Sequence, residues 1–283
     1  MPQRHAPFLF ALLSLSCNQV LGIEETTLVT SQPSKTGPWR CVTGQPATKP
    51  PSVPETIMLS MRATNLLENN LEIGQPGVRF QVCNNRNNPK CETPDDEQVS
   101  GDDGNVKLKA KTFGQGFNGF VKITDARNLP EDKAMERFVT FHYFFSNTLY
   151  TDLKAPNSIM ISYGGLEFLV KELAKIPLPD GATEVGVNHI SATPLDCDGS
   201  LASGVSFNLT PRGGENTVPW YFNRALPSPN AKATDGTGPG GVFFLETGVY
   251  LVEATTSAEG VVSSADSIVL APNAFSTVLM LPR

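Results

Sequence analysis

Gln75–Ile123 reads QPGVRFQVCNNRNNPKCETPDDEQVSGDDGNVKLKAKTFGQGFNGFVKI, and the period of its apolar residues decides the fold class. Val78, Phe80 and Val82 alternate with polar positions, the pattern of a half-buried strand. A polar loop from Asn84 to Glu97 carries two cysteines, and Gln98-Val99 resumes extended chain. Asp102-Asp103-Gly104-Asn105 supplies residues that tolerate a positive φ, which predicts a tight hairpin turn. Val106, Leu108 and Ala110 alternate on its far side, and Phe117, Phe120, Val121 and Ile123 read as a further strand. The expected product is an antiparallel β-sandwich module with nothing in it that looks like an active site.

Flanking residues extend the module. Ile57, Leu59 and Met61 predict a first strand, and Leu66–Ile73 leads back through a turn at Asn69-Asn70. Arg127–Asp132 reads as a loop. Phe138–Phe145 closes the module with an aromatic density that requires cover on both faces or contact with a neighbouring module. Ile159, Tyr163, Leu166, Val170 and Leu173 recur at helical spacing, predicting one amphipathic helix over about 159–175 that ends at Ile176-Pro-Leu-Pro. Gly164-Gly165 weakens its first turn.

A second module repeats the first faintly. Val185, Val187 and His189 begin a strand, and Pro194–Gly199 makes a turn. Ala202–Leu209 repeats the small-Gly-Val opening of Gln75–Phe80; Thr234-Asp235-Gly236 parallels the Asp102 turn; and Gly248–Ala254 parallels Gly119–Ile123. Ile268–Leu270 and Val278–Leu281 finish the sheet. The resulting organisation is a signal peptide at 1–16, a Pro/Ser/Thr-rich tether over 17–54, sandwich modules at 55–146 and 184–283, and a helical linker at 147–183.

Composition agrees with this plan. The chain has 283 residues, 24 Gly and 23 Pro, and only 18% charged residues, as suits a turn-rich β protein. A net charge of −6 without a Lys/Arg cluster argues against nucleic-acid partners.

The order of motifs carries a resemblance. Gly77, Val78, Val82, Cys83, Cys91, Pro94, Asp103, Gly104, Gly116, Phe117, Gly119 and Phe120 follow the series of the carboxypeptidase regulatory-like modules of Gram-negative surface lipoproteins. The resemblance implies a transthyretin-like or Cna-B-like sandwich, and an accessory domain without a peptidase centre. The N-terminus resembles that of such lipoproteins. Arg4, the apolar run Ala6–Leu15, then Ser16-Cys17 mark Cys17 for acylation, although Ser14 stands where the usual signal has Leu. The alternative is an ordinary leader cysteine. Acylated Cys17 would anchor the chain in membrane lipid, and Asn18 after it favours the outer membrane by analogy.

Catalytic signatures are lacking. His5, His142 and His189 form no zinc-binding spacing, no nucleophile motif is found, and no Gly-rich phosphate loop precedes a helix, Gly238-Pro239-Gly240-Gly241 leading into a strand instead. No catalytic residue, metal or cofactor is assigned; calcium at Asp95, Asp96, Glu97, Asp102 and Asp103, or at Asp196 and Asp198, is weighed against plain turn formation. Cys83 and Cys91 enclose a short loop whose ends must approach, which predicts a disulfide. Cys41 and Cys197 remain, either paired across the modules or free. Trp220 and Phe222 lie on one side of a strand, as a ligand platform or as core. The leading expectation is a non-enzymatic, lipid-anchored envelope protein that binds an unidentified protein or polysaccharide or serves structurally. The alternative is a carbohydrate- or peptide-binding accessory of an exported degradative system.

Overall fold

The computed structural model describes residues 38–44, 48–65, 73–155, 157–173, 188–214, 217–223 and 226–283. The leader, Cys17, the tether up to residue 37, the Asn69-Asn70 turn, Val185, Val187 and the expected end of the helix lie outside the described residues. The described residues belong to one compact unit, Gly37–Arg283, and are mainly β-strand.

In the first half, β1 (Thr56–Asn65) pairs antiparallel with β4 (Asn105–Lys111), and β7 (Leu153–Lys154) then β8 (Ser158–Met160) lie parallel to it. A second sheet joins β2 (Val78–Cys83) to β3 (Glu97–Val99) and to β5 (Phe120–Asp125), and β5 to β6 (Thr140–Phe145), all antiparallel. The second half repeats the scheme. There β9 (Asn188–Pro194) pairs antiparallel with β13 (Gly240–Leu245) and parallel with the closing strand β16 (Ala274–Met280). Likewise β10 (Val205–Thr210) pairs with β14 (Gly248–Thr256), and β14 with β15 (Gly260–Leu270). A hairpin of β11 (Val218–Asn223) and β12 (Leu226–Ser228) is added at the edge of β13.

The duplication extends to individual hydrogen bonds. In the first half the buried Ser100 hydroxyl donates to Gln75 O at 2.7 Å and accepts from Val78 N at 3.0 Å, while Gly77 N donates to Ser100 O. In the second half the buried Thr234 hydroxyl donates to Ala202 O at 2.7 Å and accepts from Val205 N at 3.2 Å, while Gly204 N donates to Thr234 O. Gly77 and Gly204 hold φ of 72° and 74°, a conformation costly for any side chain with a Cβ. One buried hydroxyl in each half thus ties the opening strand to the turn that follows it. The sequence shows this only as Ser against Thr.

The two halves are joined edge to edge. β16 runs parallel to β6, from Ala274 opposite Thr140 to Leu279 opposite Phe145, while its other edge pairs with β9. A nine-stranded sheet results, in the order β12-β11-β13-β9-β16-β6-β5-β2-β3. Its two faces are covered by different sheets. Phe141, Tyr143, Phe145, Phe275 and Leu279 share a core with Ile57, Leu59 and Leu108 of the β1–β4 sheet. Phe144, Val278 and Met280 share another with Tyr250, Val252 and Ile268 of the β10-β14-β15 sheet. Both faces of β6 are therefore buried, as its aromatic run requires, and each large apolar side chain so removed from water contributes about 1.5–3 kcal/mol. β16 is a central strand, parallel to both of its neighbours, and its near-continuous burial is what such a position demands.

Two local expectations are corrected. The Asp102–Asn105 turn is not a hairpin, because β3 pairs with β2 and β4 pairs with β1 in another sheet. The outer edge of β4 is closed by side chains instead: Lys107 N donates to Gln98 Oε1, Lys109 N to Asp96 and Lys111 N to Asp95. Gly104 at the corner has φ 71°, and a Cβ there would lie 2.3 Å from Ala63 O, so the chain can change sheets only with glycine. The helix also starts later than its period implied. Ile159 belongs to β8, drawn into parallel pairing with Ala63–Asn65. Helix α1 (Tyr163–Phe168) begins at the Ser162 cap, whose hydroxyl accepts from Gly165 N, and continues as a π turn over Leu169–Leu173. Leu166 and Val170 of the expected apolar stripe face the core, together with Leu169, which the stripe did not include. Glu131–Glu136, which overlaps the end of the expected Arg127–Asp132 loop, forms a 3₁₀ segment.

Candidate functional site

Both cysteine pairs are bridged. Cys83–Cys91 closes the loop after β2 with a Cα–Cα distance of 5.6 Å. Cys41–Cys197, at 5.7 Å, fastens the middle of the expected 17–54 tether to the turn after β9, where Trp39 is buried and Arg40 pairs with Asp198, so this part of the stretch is docked on the sandwich. The Cys83–Cys91 loop also reaches the second half. Arg86 donates to Asn118 O at 3.1 Å, Asp266 O at 2.9 Å and Phe145 O at 2.6 Å, with its guanidinium 5.9 Å from the Phe144 ring. Burial pulls its pKa down to about 10, against the opposing attraction of Asp266.

The acidic turns cap backbone. Asp95 and Asp96 accept from β4, Asp103 accepts from Asn105 N, and Asp196 accepts from Asp198 N and Ser200 N. Among the described residues, no three His, Cys, Asp or Glu side chains gather as a metal site.

The two downstream histidines are strand residues on separate elements. His142 is buried between Phe120 and Phe144, with ring centroids 5.2 Å and 6.5 Å away. Desolvation, and secondarily Lys122, lowers its pKa to about 4, so it is neutral. His189 packs against Phe243, Phe244 and Phe275, and its Nδ1 accepts from Phe244 N at 3.4 Å.

Where the halves meet, the face of the long sheet beyond the β1–β4 cover is left over a cavity of about 560 Å³. β6 and β16 supply Phe141, Tyr143, Phe275 and Thr277 to its floor; β9 supplies Ser191 and Thr193; β11 and β13 supply Trp220, Phe222 and Phe243. β8 and α1 form the facing wall with Ser158, Ile159, Leu166 and Leu169, and the exposed Lys154 lies on its lining. Trp220 stacks on Phe243 at 5.1 Å and touches Phe222 at 5.8 Å. Gly238 must lack a Cβ because the Phe222 ring lies on it, 2.2 Å from where that atom would be.

Trp220 and Phe222 thus share one side, as alternation demands, while Tyr221 turns to the other and stacks on Phe207. Both are buried, at 3% and 7% exposure, so they form a cavity wall rather than an open surface. Two polar atoms of the lining residues, Trp220 Nε1 and Ser158 Oγ, are buried without a hydrogen-bond partner. Burial also raises the pKa of Tyr143, which stays a neutral phenol. Sequence reasoning found two of the six rings, Trp220 and Phe222, and missed Phe141, Tyr143, Phe243 and Phe275. Glycines at 238 and 240, which lie under the rings of Phe222 and Tyr221, were the available signal that bulky rings cross a neighbouring backbone.

No protein-family model matches the sequence, and no curated protein matches it significantly. Among solved structures, the Bacillus anthracis TIE protein aligns at 12% identity over 80% of this chain and 34% of its own, with a TM-score of 0.24. A streptococcal ancillary pilin aligns at 11% identity over 81% of this chain and 69% of its own, with a TM-score of 0.24. The shaft pilin SpaA from Lactobacillus rhamnosus GG aligns at 10% identity over 82% of this chain and 98% of its own, with a TM-score of 0.22. The chain thus spans about a third of the length of the TIE protein. The β-sandwich assignment rests on the strand pairing itself.

Proposed function

We propose that this chain is an exported envelope protein that binds or scaffolds rather than catalyses. Acylated Cys17 holds it in the membrane, and the Ser/Thr/Pro-containing stretch before the docked Trp39-Arg40-Cys41 segment stands the sandwich off the surface. The cavity at the junction of the two halves carries the binding reading. It offers aromatic faces and hydroxyls, the lining of a recognition pocket, and His142 is packed against the other face of the sheet from Phe141 and Tyr143. Export is supported by the two disulfides, which persist in oxidising compartments, and outer-membrane placement by the Cys17-Asn18 junction.

The anchor is tested by metabolic palmitate labelling of the full chain beside Cys17→Ser. Label in the wild type alone supports it, and equal label in both removes it. An accessory role in an exported degradative system is the second reading, favoured by Trp220 and Phe222 in one wall. Retention of the full chain on cell-wall polysaccharide or peptide, lost in Trp220→Ala, would support it.

A further inference from the structure

We infer that the cavity takes a small, uncharged, apolar molecule built on aromatic or fused rings, rather than a sugar or an ion. The size suits one: about 560 Å³ lies within the range of small-molecule sites, roughly 300–1,000 Å³. The lining is sorted by depth. The exposed Lys154, Asn157 and Thr237 stand where the cavity meets solvent, and Lys154 is the one charged side chain of the lining among the described residues. Further in lie six buried rings, Phe141, Tyr143, Trp220, Phe222, Phe243 and Phe275. Trp220 stacks on Phe243 at 5.1 Å, and Phe141 meets Phe275 at 5.3 Å across the junction of the halves. Rings of a rigid ligand pack on such faces at little cost in conformational entropy.

The polar groups of the buried lining are matched or shut away. The Ser191 and Thr277 hydroxyls bond each other at 2.9 Å, which leaves the floor between them effectively apolar. Trp220 Nε1 and Ser158 Oγ are sealed inside the protein and offer the cavity no donor. Burial keeps Tyr143 an uncharged phenol. An anion there would lie on ring faces without a counter-charge, and most hydroxyls of a pyranose would lose the partners that they have in water; both are costly. A cation is drawn to ring faces, but this lining holds no carboxylate to share its charge, and Lys154 at the mouth opposes it. Water in such a space finds few partners, so an apolar body that displaces it is favoured.

This inference rests on the binding reading above, and the choice of probes separates the two. The full chain carrying Cys17→Ser, which keeps acyl chains out of the assay, is titrated by fluorescence with N-phenyl-1-naphthylamine and 8-anilinonaphthalene-1-sulfonate, one ring system without and with a charge. Saturable one-to-one binding of the uncharged probe is expected, about tenfold or more tighter than the sulfonate, with no displacement by equal concentrations of phenyltrimethylammonium or cellobiose. That preference is read in the unaltered cavity and needs no variant to fold. Ile159→Phe fills the cavity from the facing wall and should weaken the uncharged probe about tenfold. Phe113→Ser removes a ring that is 66% exposed outside the lining and should leave the affinity unchanged. A sulfonate, cation or sugar bound as tightly as the uncharged probe overturns this inference and leaves the binding reading standing; binding of none of them removes both. Affinity for the uncharged probe that survives in folded Ile159→Phe, or is lost in Phe113→Ser, puts the probe outside the cavity and overturns the inference as well.

Discussion

Removing the Cys41–Cys197 bridge with the double substitution Cys41→Ala/Cys197→Ala should destabilise the protein far more than removing Cys83–Cys91. The bridges span very different lengths of chain, 156 residues against 8. In the chain-entropy treatment the first restrains the unfolded state by about 5 kcal/mol and the second by about 2.5 kcal/mol. The longer loop encloses every strand of the first half together with β9, so opening it releases the whole repeat in the unfolded ensemble. Five kcal/mol is a large part of a typical stability of roughly 5–15 kcal/mol. Loss of this bridge also frees buried Trp39 and the hydrogen bond from Cys197 N to Pro38 O. Urea unfolding of wild type and both double mutants at neutral pH, followed by circular dichroism, measures the difference. A larger loss for Cys83→Ala/Cys91→Ala, or a Cys41→Ala/Cys197→Ala protein as stable as wild type, would refute the reasoning.

Three further outcomes are expected. The folded-state pKa of His142, about 4, lies below the ordinary value near 6.5, so its contribution to stability is present above pH 6.5 and is lost as the pH falls towards 4. His142→Leu should therefore flatten the stability profile between pH 6.5 and 5 by about 2 kcal/mol relative to wild type; parallel profiles would refute the assignment. Arg86→Met removes a cation that serves three backbone carbonyls and should cost about 3 kcal/mol in denaturant titration, whereas a change below 0.5 kcal/mol (about the scatter of surface substitutions) would show that the loop is not pinned. Ser100→Ala and Thr234→Ala, as equivalent members of the two repeats, should each lose about 1–3 kcal/mol, and a cost confined to one of them would break the equivalence.

Much of the first sandwich could be read from local pattern. Strands β2 to β5 follow the alternation of Val78–Val82 and Val106–Ala110, and the Cys83–Cys91 bridge follows from eight residues of separation. Local pattern failed where a distant strand decides the outcome. Ile159 keeps a helical period with Tyr163 yet pairs with Thr64, and the Asp102–Asn105 turn has hairpin chemistry yet links two sheets. The junction of the halves was the least legible feature. Pairing of Ala274–Leu279 with Thr140–Phe145 joins strands far apart in sequence, and its local trace is burial on both faces of AFSTVLM. The cavity inherits that difficulty, since Phe141 and Phe275 meet across the junction and no single segment announces them.

The fusion of two repeated sandwiches through β6 and β16 is the claim on which both the cavity and the shared core depend. Amide hydrogen exchange of the full chain, resolved to Thr140–Phe145 and Ala274–Met280, tests it most directly. Both segments should exchange only through global unfolding, as central strands do. Exchange of either segment at the rate of an exposed edge, with the rest of its own half still protected, would contradict the account.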